Sequence, residues 1–239
     1  LAAYKALHYY EWSDLLTMTP DIEDVFTRQA VEPKQETRLK SGIPILQEIT
    51  DKVSSKVRQQ YEKNPYPRWV SLGLPLKPAS VSVLAKRLEL RVFDPEINDV
   101  ANPNILIAGC GTGQQSIGTA ARFKNSTVLA VDLSLASLAY AKRKTEELDV
   151  KNLEYMQADI LDLGKLDRQY DIVESVGVLH HMDDPTAGWK VLTGCLKSGG
   201  LMKVGLYSEL ARQDIVKIRE EINLSGIGSS DDAMRAFRT

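Results

Sequence analysis

Ile105-Leu106-Ile107-Ala108-Gly109-Cys110-Gly111-Thr112-Gly113-Gln114 is the stretch on which the fold turns. Its four leading apolar residues show no polar alternation, as expected of a strand buried on both faces of a parallel sheet. The glycines at 109, 111 and 113 let the backbone turn sharply and let a bound group approach without Cβ interference. Beyond the turn, residues 114–123 read as a helix with Ile117, Ala120 and Ala121 on one face. Further apolar runs lie at 127–131, 153–156, 171–174 and 201–206, alternating with helical patterns at 134–148 and 185–196. The last helix has clear signals: Asp184 as cap, Pro185 at the first position and Gly199-Gly200 after the end. Strand–helix alternation of this kind predicts an α/β domain with a doubly wound, mostly parallel sheet, Rossmann-like in type.

Upstream the texture differs. Residues 1–18 are rich in aromatics and free of Gly and Pro, and read as a helix packed on several sides. Pro20 opens a second helical pattern with Ile22, Val25 and Phe26 on one stripe, and Pro33, Gly42 and Pro44 punctuate the residues after it. Asp51 is placed to cap a helix through Val53, Val57 and Tyr61, which must end before Pro65. Asn64-Pro65-Tyr66-Pro67-Arg68-Trp69 is then an extended, aromatic-loaded segment. Residues 80–92 read as one more amphipathic helix. The division expected is a helical region and cap over residues 1–100, then a ligand-binding domain over 101–239.

Composition narrows the class. The 239 residues are 43% hydrophobic and 26% charged, which excludes a largely disordered or fibrous chain. Lys+Arg 30 against Asp+Glu 32 gives a net charge of −2, so no basic field points to nucleic acid or an anionic membrane. The longest uncharged run, 100–121, holds Asn, Gln, Ser, Thr and several Gly, and is no membrane span. Two cysteines, Cys110 and Cys195, can supply neither a disulfide framework nor a four-cysteine zinc site. A cytoplasmic protein with no nucleic-acid or membrane partner is the expectation. The chain begins at Leu1 rather than Met and stops within a helical pattern, so it is expected to be a piece of a longer protein.

Two acidic positions, the glycine spacing and the fourth strand narrow the ligand. Asp132, with Leu133 beside it, ends the second strand 23 residues after Gly109. A carboxylate at that tip accepts hydrogen bonds from both ribose hydroxyls of an adenosine, a device shared by two large enzyme classes. A dinucleotide fingerprint wants G-x-G-x-x-G, whereas this chain has G-x-G-x-G with Gln114 in the third Gly slot. A second acid, Asp159, stands with Ile160 at the end of the third strand, placed for an adenine amino group. The fourth strand runs into Glu174-Ser175-Val176-Gly177-Val178-Leu179-His180-His181.

From Asn104 to Tyr207 the chain resembles class I S-adenosylmethionine-dependent methyltransferases. AGCGTG is similar to their first motif, VDLS to their second-strand acid, QADILDL to their adenine contact and ESVGVLHHMDDP to their fourth motif. QYEKNPYPRWV, SLASLAYAKRK and GLYSELARQDIV extend the likeness to a bacterial group that often follows tetratricopeptide-type helical repeats in one polypeptide. The resemblance implies S-adenosyl-L-methionine as cofactor and an unidentified methyl acceptor, a small molecule or a protein side chain. It places Gly109, Cys110, Gly111, Thr112 and Gly113 at the methionine part and ribose edge. Asp132 and Leu133 fall at the ribose, Asp159 and Ile160 at the adenine, and Ser175 near the methyl group. The family completes its sheet with two further strands, which the 32 residues after Tyr207 do not show, so these are expected to be missing.

Other residues carry two readings each. His180 and His181 are the candidate general bases, since an imidazole near pKa ~6.5 can take a proton from a hydroxyl or ammonium acceptor; otherwise they hold the loop and face solvent. A metal at this pair is disfavoured, because Asp184 is better used as a helix cap and no third ligand is visible. Cys110 reads as a small filler. Tyr61, Tyr66 and Arg68, with Trp69, are either a lid over the cofactor or pins that fasten the N-terminal helices to the sheet. Lys142-Arg143-Lys144 reads as a solvated helix face. The rivals are an NAD(P)-dependent oxidoreductase sharing the turn and Asp132, and a binding-only module of the methyltransferase type.

Overall fold

The computed structural model describes residues 5–228 and 230–237. Two short 3-10 turns, Leu7–Tyr9 and Glu11–Leu15, occupy the stretch where a single N-terminal helix is expected; residues 1–4 lie outside the described residues. Tyr9 and Leu15 are exposed, so the many-sided packing such a helix needs is lacking there. Next come α1 (Glu23–Phe26), a π turn (Thr27–Val31) and α2 (Glu32–Lys40), one helical run that passes through Pro33 instead of breaking. In a regular helix the ring of Pro33 would crowd the carbonyl of Gln29 and offer it no N–H. The π turn opens the ladder there, and His8 Nδ1 donates to Gln29 O at 3.1 Å instead.

α3 (Lys52–Lys63) starts as its cap predicts, with Asp51 Oδ1 accepting from Ser54 N at 2.8 Å, and ends at Asn64. α4 (Val81–Arg87) is five residues shorter at its end than the pattern from 80 to 92. Glu89 takes φ +52° and Leu90 N donates back to Ala85 O, a Schellman closure made without glycine.

The α/β part then runs β1 (Asn104–Ala108), α5 (Gln114–Arg122), β2 (Thr127–Asp132), α6 (Leu135–Glu147), β3 (Leu153–Gln157), β4 (Tyr170–Val176), α7 (Pro185–Gly194) and β5 (Leu196–Gly205). The sheet order is β3-β2-β1-β4-β5, with β1 parallel to β2 and β4, and β2 parallel to β3. This is the doubly wound order expected from the alternation. β5 begins five residues earlier than expected, taking in Gly199 and Gly200 rather than leaving them as a helix stop. A Cβ at Gly200 would lie 2.9 Å from Asp171 O, so glycine there permits a close approach to β4.

Both faces of the sheet are covered. Ile105 and Ile107 of β1 pack with Val128, Ala130, Ile172 and Leu138 on one side. Leu106 and Ala108 pack with Leu129, Val131, Val173, Leu179 and Leu192 on the other. Hence the unbroken apolar runs, each large side chain contributing about 1.5–3 kcal/mol by leaving water. Outside β3 the chain adds one more step: Leu46 N donates to Gln157 O and Gln157 N to Pro44 O, each at 2.9 Å, so Ile45 bridges β3 in parallel.

The N-terminal elements reach α6 through charge. Arg143 is buried and pairs with Glu32, Glu36 and Glu147 at 3.1–3.2 Å; Arg68 Nη2 donates to both oxygens of Glu36 at 3.1 Å. Lys144, also buried, donates to Val70 O at 3.0 Å. The 142–144 run is therefore largely an internal seam, and only its first member keeps clear of the buried set. The sequence reads as a solvated face because Glu32, Glu36 and Val70, which cover it, lie more than seventy residues upstream.

The chain divides into two compact units, one ending at Val204 and one starting at Gly205. The second holds a 3-10 turn (Leu210–Arg212), α8 (Gln213–Leu224) and α9 (Asp231–Phe237), with Arg212 stacked 3.8 Å over the Tyr207 ring. Among the described residues no strand follows Gly205.

Candidate functional site

Parallel strands deliver their carboxyl ends to one edge of the sheet, and that edge is where open α/β folds bind ligands. β1 ends at Ala108 and the chain enters a turn in which Gly109, Gly111 and Gly113 have φ +79°, +52° and +86°. Glycine meets these values without the steric cost another residue would carry. The three glycines then differ in use. A Cβ on Gly109 would strike Val178 at 2.4 Å, and one on Gly113 would strike Ala141 of α6 at 2.6 Å. These two serve close packing. A Cβ on Gly111 would meet only Tyr66 O, at 3.7 Å.

The turn is pinned from several directions. Gly109 N and Cys110 N both donate to Val131 O, at 2.8 and 2.9 Å, and Gly113 N donates to Cys110 O at 3.0 Å. Gly111 N donates to Asp132 Oδ2 at 2.8 Å, while Ser134 N donates to Asp132 Oδ1 at 2.9 Å. The sequence-predicted glycine turn and acid are thus joined directly. Each carboxylate oxygen commits one lone pair to an amide and keeps capacity for a second donor. Burial pushes the Asp132 pKa above the ordinary carboxylate value, against the lowering pull of the Ser134, Gly111 and Leu133 amides.

Thr112 is buried, and its carbonyl and hydroxyl are both taken by the segment after α3. The Cys110 thiol is buried and held well above its ordinary pKa by burial, with Asp132 adding to the effect. It stays protonated at neutral pH and is no nucleophile. Asp159 is buried after β3 and accepts from Leu161 N at 3.0 Å; Ile160 is buried beside it. Ala158 N donates to Asp132 O at 3.1 Å, so the two acids sit on neighbouring, connected loops. Leu133 is half-buried, and its carbonyl accepts from Gln157 Nε2 at 2.7 Å. At the end of β4 the Ser175 hydroxyl is buried and has no hydrogen-bond partner among the described residues.

After β4 a 3-10 turn (Leu179–His181) carries the two histidines, His180 half-buried and His181 exposed, with ring centroids 4.3 Å apart. Tyr61 of α3 meets the His181 ring edge-on at 6.3 Å, so a residue of the N-terminal cap does reach the histidine loop. Tyr66 is exposed, with its backbone carbonyl near Gly111. Arg68 goes elsewhere: its guanidinium is taken by Glu36 and lies 4.8 Å over the Tyr140 ring.

Two carboxylates here were not singled out from sequence. Glu62 Oε2 accepts from Ser134 Oγ at 3.1 Å and Ala136 N at 2.9 Å, and Lys40 Nζ lies 2.6 Å from Oε1. Burial pushes the Glu62 pKa up, but Lys40 and the Ala136 and Ser134 donors outweigh it and leave the net value lowered. Glu174 is buried within β4 and accepts from Gln115 Nε2 at 2.6 Å and Thr119 Oγ1 at 3.1 Å. A signal existed for Glu174: a carboxylate inside a strand buried on both faces demands donors. Glu62 had none beyond lying four residues before the aromatic Tyr66.

Residues 105–200 match the family described as "Methyltransferase domain". A ubiquinone biosynthesis O-methyltransferase of Acinetobacter baumannii is 30% identical over 114 residues, 47% of each chain. An uncharacterized Synechococcus protein is 32% identical over 126 residues, 52% of this chain and 30% of its own length. The chain therefore spans less than half the length of these curated relatives. A solved S-adenosylmethionine-dependent methyltransferase from Clostridium acetobutylicum is 24% identical, with 66% of this chain and 60% of that one covered and a TM-score of 0.43. No helix among the described residues is long and apolar enough to cross a membrane. With the glycine turn joined to the second-strand acid at the carboxyl edge of a 3-2-1-4-5 sheet, residues 105–200 are similar to methyltransferase domains in sequence and have the sheet order and turn to match.

Proposed function

We propose that this chain transfers a methyl group from S-adenosylmethionine to an acceptor. The observation that carries the reading is the Asp132 carboxylate, fixed by the Gly111 and Ser134 amides with one acceptor site left on each oxygen. That arrangement fits a ribose diol. The unpartnered, buried Ser175 hydroxyl fits a polar edge at the end of β4. When bound, the cofactor supplies an electrophilic methyl carbon on a sulfonium. The chain's own part is alignment and exclusion of water.

In this reading Gly109, Cys110, Gly111, Thr112 and Gly113 form one wall. Asp132 with Leu133 orients the ribose, and Asp159 with Ile160 frames the adenine. His181, reached by Tyr61, is the better placed of the two histidines to take a proton from a hydroxyl or ammonium acceptor, with His180 behind it. Tyr66 stands at the opening, whereas Arg68, engaged by Glu36, fastens the segment that carries it. The likeness to the group fused to tetratricopeptide-type repeats belongs to the same proposal and rests on the sequence QYEKNPYPRWV, SLASLAYAKRK and GLYSELARQDIV.

Calorimetric titration with S-adenosylmethionine and, separately, NAD tests the reading. Micromolar binding of the former alone supports it, and Asp132→Ala is expected to weaken that binding. Binding of NAD alone overturns it. Binding of S-adenosylmethionine without methylation of any hydroxyl, amine or carbon acceptor by the complete gene product identifies a binding-only module.

A further inference from the structure

We infer that Trp69 is a positioning residue for the cofactor turn, acting through Thr112 rather than by touching a ligand. The inference rests on the methyltransferase reading above and goes beyond it, since the lid and pin readings of the segment after α3 give Trp69 no hold on the turn.

The geometry is reciprocal. Trp69 Nε1 donates to Thr112 O at 3.0 Å, and Thr112 Oγ1 donates to Pro67 O at 2.6 Å. Two hydrogen bonds of opposite direction thus tie one residue of the turn to a segment more than forty residues upstream. The segment is itself anchored on α6: Tyr140 OH donates to Trp69 O and Lys144 Nζ to Val70 O. The buried Trp69 ring packs with Ile117 of α5 and edge-on with Tyr140 of α6 at 6.1 Å. α5 leaves the glycine turn and α6 leaves the Asp132 turn, so the indole bridges the helices that follow both halves of the cofactor wall.

Such a tie has a function because the turn is glycine-dense. Gly109, Gly111 and Gly113 give the backbone little preference of its own for this conformation, so the turn depends on hydrogen bonds to hold it, and any freedom they leave is lost on binding. The Thr112–Gly113 peptide is held at both ends from outside a strand, its carbonyl by Trp69 and its N–H by Cys110 O. Releasing the carbonyl returns freedom to the free state and weakens binding without removing a ligand contact.

The test uses Trp69→Phe, which keeps an aromatic ring and removes the donor, and Thr112→Val, which keeps the shape and removes the hydroxyl. Amide hydrogen exchange is measured on the ligand-free chain, and S-adenosylmethionine binding by calorimetry. Each variant is expected to speed exchange at residues 110–114 while β1 and β2 stay protected, and to weaken binding about tenfold through a less favourable entropy. Unchanged exchange in both variants overturns the inference. So does faster exchange with wild-type affinity, which leaves a purely structural bond. A wild-type chain that binds no S-adenosylmethionine while the variants still exchange faster brings down the methyltransferase reading, and the positioning role with it.

Discussion

The interior of the sheet and the seam that joins the N-terminal elements to α6 are built from different contacts, although Ile43, Val81 and Ile97 of the N-terminal hundred residues also join the apolar core. Around β1 the buried partners are Ile, Leu, Val and Ala, drawn from both sides of the sheet. Where α2, α3 and the segment around Trp69 meet α6, the partners are Glu36 with Arg143 and Arg68, Glu62 with Ser134 and Ala136, and Lys144 with the Val70 carbonyl. Apolar burial is non-directional and tolerates small shifts, whereas a buried ion pair stabilises only in one geometry. Apolar burial, to which both regions contribute, therefore supplies cohesion, and the polar seam on α6 adds registration, setting the backbone that surrounds the turn and the second-strand loop.

The sharpest way to break the first half of that contrast is Leu106→Ala. Leu106 is fully buried among Leu129, Val173 and Leu192, and its truncation is expected to cost about 2–5 kcal/mol in denaturant unfolding, felt across the whole large unit. The second half is broken by Glu36→Gln. With Arg143 about 4% exposed, removing one of its three carboxylate partners is expected to cost about 1.5–3 kcal/mol, the range for a hydrogen bond to a charged group. Limited proteolysis should then cut before residue 70 while the sheet stays protected. A variant that melts as a single unit with no early cleavage would show the two regions to be equally cohesive.

Asp132→Ala tests the site rather than the scaffold. S-adenosylmethionine affinity is expected to fall by about 2–3 kcal/mol, the range for hydrogen bonds to a charged group, with little change in the far-ultraviolet spectrum. The smallest effect belongs to Glu62. Its pKa is lowered from 4.5, so its ionised form adds stability above that pH, and the contribution is lost as pH falls through the folded value. Glu62→Gln should cost about 1 kcal/mol at pH 7. It should also flatten the acid limb of the stability curve, and an unchanged limb would assign that slope to other carboxylates.

The contrast also explains what the sequence disclosed. Strands buried on both faces read as unbroken apolar runs, and the glycine turn, Asp132, the Asp51 cap and the Pro185 start are local signals, so sheet and turn were legible from residue to residue. Arg143 and Lys144 were not, because a charged pair looks the same on a wet face and in a seam until its partners are known. Pro33 was hidden by a π turn, and the end of α4 by Glu89 in a conformation usually given to glycine. At the site, each candidate near a strand end lay there as expected, but the bond from Gly111 to Asp132 and the hold of Trp69 on Thr112 depend on tertiary approach. No spacing rule carries that.

The small step at Ile45 bears on how the protein can be handled. Pairing through Pro44, Leu46 and Gln157 hides part of the outer rim of β3, whose amides and carbonyls would otherwise offer a template to any extended strand. A version trimmed to begin at Asn104 would keep every strand of the sheet and still expose that rim to its neighbours. Self-association through that rim is the expected result of cutting there, on top of the stability lost with Ile43, Val81, Ile97 and Glu36, and a soluble domain is expected to need the chain from ahead of Ile43.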